Sequence, residues 1–250
     1  MPFILFDTET TGSGENDRIC QIALGILKKE GCDYHIDYCK PPLPISYGAM
    51  ALHGITEEKV ADKPAFCDTA SAKLLASLNS KNSVLIAHNA KFDIDMLKKE
   101  GIEWGGLVID TYRCAKHLVD SDSHALQYLR YSLGLYRSEN DDEAMRLKAE
   151  FGDMMNPHNA LFDIYILKKL LFHLIDITGD YKKLIELTNT PVLLTTMKFG
   201  KYRGESFEEI AKKDPSYLKW LKNNRQDSDQ DLEYTLDYYT HRLLRNETKF

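Results

Sequence analysis

The sequence predicts an α/β protein in which helices flank a mixed sheet, followed by a small C-terminal unit made of a hairpin and helices. Three observations carry this reading. Short apolar runs at residues 3–6, 84–87 and 107–109 have the length and branching of buried strands. They alternate with segments of helical periodicity, the pattern of a sheet covered by helices. From Pro191 the pattern changes to short apolar stretches around glycine turns, which marks a second unit.

Taken in order, the chain opens with a strand at residues 3–6, a glycine-bearing loop at 12–14 and a second strand at 19–27, most simply paired antiparallel to the first. Pro41, Pro42 and Pro44 exclude a central strand, and a short helical piece at 57–60 and a longer helix at 68–78 follow. Residues 84–87 form a buried strand, and Asp93 opens a helix over 94–99. A strand at 107–109 leads to Asp110 and Thr111, which cap a helix running to Leu118. Residues 138–157 are charged and weakly patterned and read as a mobile excursion holding one helix; the last helix of the main domain spans 160–175. The main domain is placed at residues 1–178 and a smaller domain with its tail at 179–250. In the latter, 193–199, the turn GKYRG at 200–204, and apolar groups at 207–210 and 217–221 give the hairpin and its helices.

At 250 residues with 43% hydrophobic content, the chain can bury one sizeable core and a smaller appendage. Its five cysteines are odd in number and lack Cys-x-x-Cys spacing, which argues against a disulfide framework and a zinc knuckle and for reduced thiols in the cytoplasm. The apolar start at residues 1–6 has no basic lead and is too short for a signal peptide or a membrane span, so no membrane partner is expected. The net charge of −6 is uneven: residues 191–225 carry 8 Lys and Arg against 4 Asp and Glu. That local basic patch is the part of the chain suited to a polyanion.

The segment FDTET at 6–10 places Asp7 and Glu9 on alternate positions, hence on one face of a strand. Two further segments, HNAKFD ending at Asp93 and HNALFD ending at Asp163, each bring an aspartate to an apolar helix. Converging carboxylates raise one another's pKa unless cations intervene, and oxygen ligands suit Mg²⁺ or Mn²⁺. Two such ions can serve phosphodiester hydrolysis, leaving a base to be found for the water. His158 suits that role, because an imidazole exchanges protons near neutral pH. Asp95, two positions past Asp93, lies about 200° around a helix and reads as solvated surface. Asp110 reads as a cap, and Phe92 as core.

These three segments together resemble the DEDDh branch of the DnaQ-like 3′ to 5′ exonucleases, over roughly residues 1–175. The run from Pro44 through His53, Gly54, Ile55 and Thr56 is similar to that family's connecting segment. The sister branch has a tyrosine four residues before the last aspartate; position 159 here is Asn. Residues 196–204 and 214–221 further resemble the tail of bacterial exonuclease X. The resemblance implies a ribonuclease H-like fold and metal-dependent release of 5′-mononucleotides from DNA 3′ ends, single-stranded or duplex, with DNA repair as the setting. It also implies two ions per site: Asp7 would bridge both, Glu9 and Asp163 would serve the water-side ion, Asp93 the other, and His158 would deprotonate the water.

The same catalytic residues would serve an RNA-trimming enzyme of the ribonuclease T or oligoribonuclease kind, and a nucleic-acid-binding module that kept the fold without activity is a third reading. Thr8, Thr10, His53 and Asn89 are candidates for the nucleotide pocket, with His88 beside them. Lys198, Lys201 and Arg203, interleaved with Phe199 and Tyr202, suit a single strand gripped by charge and stacking. Against this, Phe199, Phe207, Tyr217 and Trp220 read as the core of a unit too small to fold without one. Oligomeric state is left open.

Overall fold

A computed structural model describes residues 1–138, 141–225 and 229–247. The chain divides into two compact units, Met1–Thr188 and Asn189–Phe250. The first contains the strands β1 (Phe3–Thr10), β2 (Ile19–Leu27), β3 (Cys32–Tyr38), β4 (Val84–Ala87) and β5 (Leu107–Asp110), in the sheet order β3-β2-β1-β4-β5. β1 pairs antiparallel with β2, as the short glycine loop requires, and parallel with β4. β4 pairs parallel with β5. The sheet is mixed, as expected.

Three helices lie between β3 and β4: α1 (Tyr47–His53), α2 (Glu57–Val60) and α3 (Ala70–Leu78). α4 (Ala90–Lys99) connects β4 to β5, and α5 (Thr111–Leu118) follows β5. Then come α6 (Leu126–Ser132), α7 (Asp142–Phe151), α8 (Ala160–Thr178) and α9 (Tyr181–Asn189). Leu184 and Leu187 of α9 are buried in the main core, and the contact boundary accordingly falls at 188/189.

The parity of β1 decides what each face meets. Ile4 and Phe6 pack with Ile22, Leu24, Leu75, Met96 and Leu97, so that face is covered by α3 and α4. Leu5 packs with Ala23, Leu161, Tyr165 and other residues of α8 on the opposite face. Continuing the alternation, Asp7 and Glu9 follow Leu5 toward α8, and Thr8 follows Phe6 toward α4.

Several elements differ from the sequence reading. β1 runs four residues past the apolar stretch, so both carboxylates lie within the strand. α4 starts at Ala90, which puts Asp93 in its first turn rather than before it. The excursion at 138–157 contains α7, whose Ala144 and Leu147 are fully buried in the main core; its residues 139–140 lie outside those described. Asp141 caps α7 and meets Lys169 of α8, and Glu143 pairs with Lys168.

In the second unit the hairpin is minimal: an isolated antiparallel bridge joins Thr196 and Ser206, closed by the Gly204 N–H to Met197 carbonyl bond at 2.8 Å. It leads to α10 (Phe207–Lys213), opened by a Ser206/Glu209 capping box, and α11 (Pro215–Asn224), capped by Asp214 with proline in its first turn. The unit ends in α12 (Gln230–Glu247). Leu232 and Leu236 of α12 complete a core with Met197, Tyr202, Phe207, Ile210, Leu218 and Leu221. Phe207 is core as read, and Tyr217 is half-buried against it. Phe199 and Trp220 are not core: they are 42% and 56% exposed. Tyr202 is corrected the other way, since it is buried with its hydroxyl bonded to Asp214 at 2.7 Å and offers no face for stacking.

Candidate active site

The N-terminal turns of α4 and α8 carry the second and third motifs to the end of β1. Asp110 organises the first of these junctions. Its carboxylate accepts the N–H groups of Asn89 (3.0 Å) and Ala90 (3.1 Å) at the head of α4, and those of Tyr112 and Arg113 at the head of α5. It is the expected cap, serving two helices instead of one. To present both N–H groups to Asp110, Asn89 takes a left-handed backbone with φ 68°. His158 does the same with φ 60°, next to the Asn159 cap of α8. Among the described residues these are the two non-glycine positions with positive φ, and each lies at the entry to the helix of a site aspartate, Asn89 as the cap of α4 and His158 one residue before the cap of α8.

From β1, Asp7 and Glu9 point toward α8, and Asp163 projects from the first turn of α8. One carboxylate oxygen from each of the three lies within 4.8 Å of the others. Asp93 approaches from the α4 side, where the Thr8 hydroxyl donates to its Oδ1 at 2.8 Å. β2 fixes α8 from below: Gln21, cross-strand partner of Glu9, is fully buried and accepts the Ala160 N–H at 3.0 Å through Oε1. Its Nε2 has no hydrogen-bond partner among the described residues.

The electrostatics of the cluster bear on what it can hold. Burial, then the charges of Asp93, Asp163 and Glu9, push the Asp7 carboxyl well above the usual carboxylate range. Glu9 is pushed up to about 9 by burial and then by Asp163 and Asp93. Burial raises Asp93 and Asp163 to about 7 each. The Thr8 hydroxyl partly offsets this for Asp93, and the His158 backbone N–H, Gln127 and Arg130 do so for Asp163. Four acids that cannot all ionise without a counter-charge, all with hard oxygen donors, fit a divalent cation such as Mg²⁺ or Mn²⁺.

His158 is half-buried, five residues before Asp163, as the motif spacing demands. The matching histidine of the second motif has a different fate. His88 reaches the His124 carbonyl through Nε2 (2.8 Å) and the Thr111 hydroxyl through Nδ1 (3.0 Å), and burial lowers its pKa to about 4. It is a structural residue.

The four nucleotide-pocket candidates are spread around the same strand end. The Thr8 hydroxyl is committed to Asp93, and that of Thr10 to the Gly12 carbonyl at 2.8 Å. His53 accepts the Ile55 N–H at Nδ1, so Nε2 carries the proton and donates to the Thr10 carbonyl at 3.1 Å. This bond ties α1 to β1. Asn89 is exposed. Asp95 is exposed and paired with Lys91, as read from the sequence. Lys198, Lys201 and Arg203 belong to the second unit and are exposed there; Lys201 pairs with Asp214 at 3.2 Å. Two residues of α6 that sequence reasoning missed, Gln127 and Arg130, reach the site: the Gln127 amide donates to Asp163 Oδ1 at 2.5 Å. The signal available for α6 was the apolar spacing of Leu126, Leu129 and Leu133.

Comparison with known proteins adds independent findings. The family profile described as Exonuclease (RNase T) matches residues 4–171, and one described as Exodeoxyribonuclease X-like C-terminal matches residues 197–226. Exodeoxyribonuclease 10 of Escherichia coli K12 is 34% identical over 238 residues, covering 94% of this chain and 97% of that protein. The DNA polymerase III subunit epsilon of Buchnera aphidicola subsp. Acyrthosiphon pisum (strain APS) is 32% identical over 184 residues, covering 67% of this chain and 70% of that one. Among solved structures, exonuclease X in complex with 5′ overhanging duplex DNA aligns with a TM-score of 0.59 and 28% identity, over 75% of this chain and 99% of that one.

Proposed function

The chain belongs to the exonuclease family, and from that premise we propose that it is a metal-dependent 3′ to 5′ exodeoxyribonuclease releasing 5′-mononucleotides from DNA ends. The observation that carries the reading is the convergence of Asp7, Glu9 and Asp163 within 4.8 Å, with Asp93 held at the same strand end by Thr8. These four carboxylates would hold two Mg²⁺ or Mn²⁺ ions, Asp7 shared between them, Glu9 and Asp163 with one and Asp93 with the other. When bound, such ions lower the pKa of a water and neutralise the departing oxyanion of a phosphodiester.

The rest is the work of the chain's own groups. His158 accepts the proton of the attacking water; what supports this role is its position one residue ahead of the Asn159 cap of α8, from which its backbone N–H bonds Asp163. Thr8 orients Asp93. Asn89 faces the terminal nucleotide, and His53 and Thr10 shape that pocket by fixing α1 against β1. In the second unit, Lys198 and Arg203 are exposed and have no ion pair among the described residues, so they are the cations to meet the phosphates of a longer strand, with Lys201 exchanging Asp214 for phosphate.

The test is mononucleotide release from matched 3′-end-labelled DNA and RNA single strands with Mg²⁺, beside an Asp163→Ala control. DNA-selective release that disappears in the control is the expected result. RNA-selective release would move the protein to RNA trimming, and no release from either would leave a binding module. In the same assay, Lys198→Ala combined with Arg203→Ala is expected to raise KM on long strands and leave kcat unchanged.

A further inference from the structure

α6 plays no part in the reading above, yet it contacts the cluster through an ordered chain of hydrogen bonds. Gln127 Nε2 donates to Asp163 Oδ1 at 2.5 Å, and Gln127 Oε1 accepts from Arg130 Nη1 at 3.0 Å. Arg130 is buried, 8% exposed, with its guanidinium 4.8 Å from the ring centres of both Phe162 and Tyr131. A guanidinium can only donate, so the Gln127 amide oxygen must face Arg130 and its NH₂ must face Asp163. The chain therefore has one polarity, and the amide has no alternative orientation.

The interposed glutamine has a chemical consequence. An arginine placed directly on Asp163 would form a bidentate pair, occupy both carboxylate oxygens and compete with a cation. Gln127, a neutral donor, bonds Asp163 at Oδ1 beside the bond Asp163 accepts from the His158 backbone N–H, and so leaves the carboxylate its charge for the ion that Asp7 and Glu9 would help to hold. The permanent charge of Arg130 stays near, held by two aromatic faces that compensate part of its desolvation.

We propose that Gln127 and Arg130 are positioning residues that orient the Asp163 carboxylate as a metal ligand without neutralising it and so set the affinity of the site for its cation. The proposal rests on the reading of Asp163 as a ligand. Outer-shell partners of metal ligands typically contribute about 10–100-fold in metal affinity or activity, and Gln127 and Arg130 fall in that class.

The experiment is calorimetric titration of Mn²⁺ into the full-length metal-free protein, with the metal-free Tm measured alongside. Gln127→Leu removes both hydrogen bonds at similar size; Gln127→Met does so with an unbranched side chain should the first variant fail to fold. The expected result is a Kd for Mn²⁺ weakened by about tenfold or more in a variant that still melts cooperatively without metal, with Arg130→Met weakened in the same direction and Arg130→Lys recovering part of the loss. Wild-type Mn²⁺ affinity in a folded Gln127 variant would overturn the proposal. Asp163→Asn separates this from failure of the underlying reading: if that variant also binds Mn²⁺ as the wild type does, Asp163 is not a ligand, whereas loss in Asp163→Asn with none in Gln127→Leu removes only the positioning role.

Discussion

Asp7→Asn is expected to reduce mononucleotide release by more than about 10³-fold, a loss of more than about 4 kcal/mol of transition-state stabilisation, while the metal-free protein melts at the same temperature or higher. The two halves of that result come from one cause. Asp7 lies amid Asp93, Asp163 and Glu9, whose charges raise its pKa along with burial. An amide of the same shape removes a carboxylate that the proposed cation site would use and also relieves repulsion that the metal-free fold has to sustain. Kinetics with Mg²⁺ and a thermal melt in chelator check both halves. Wild-type turnover in Asp7→Asn would take the residue out of the chemistry.

The same electrostatics predict that metal binding stabilises the protein far more at high pH than at low. Ordinary values are 3.8 for Asp and 4.5 for Glu, whereas in the fold Asp93 and Asp163 sit at about 7 and Glu9 at about 9. Between those limits the folded protein holds protons that the unfolded chain has released, so the stability these three carboxylates contribute to the metal-free protein is fully present below about pH 4 and falls as pH rises toward the folded values. A divalent cation displaces those protons. At about 100 times its Kd it adds about 2.7 kcal/mol, which for a chain of this size raises Tm by roughly 5–10 °C. Melts at pH 5.5 and pH 8, with and without Mn²⁺, are expected to show a metal-free Tm that falls with pH and a metal-induced rise that grows with it. A metal effect equal at both pH values would mean that the cation binds elsewhere.

What could be read from the sequence was local, and what could not be read was assembled over distance. FDTET, HNAKFD and HNALFD disclosed the carboxylates because a strand parity and two helix starts fix them within a few residues, and the resemblance to DnaQ-like exonucleases built on them agrees with the family match. The Gln127–Asp163 bond joins positions 36 apart and leaves no spacing to detect. α1 buries no residue, so it has no apolar stripe to betray it. β3 has only Cys32 and Tyr38 buried, at its two ends, and its polar interior hides an edge strand. In the small unit, the aromatic residues looked alike in sequence; Asp214, which collects Tyr202, Ser216 and the Tyr217 N–H, decides which ring turns inward. Phe199 and Trp220 were left outside by contacts that no periodicity encodes.

The central claim is that the four carboxylates form a cation centre. Anomalous diffraction from crystals grown with Mn²⁺ and a 5′-deoxynucleotide product tests it most directly. The account predicts two Mn²⁺ peaks, one held by Asp7, Glu9 and Asp163 and one reached by Asp7 and Asp93. Crystals grown at saturating Mn²⁺ and product that show no peak among these side chains, or Mn²⁺ bound only elsewhere, would contradict it.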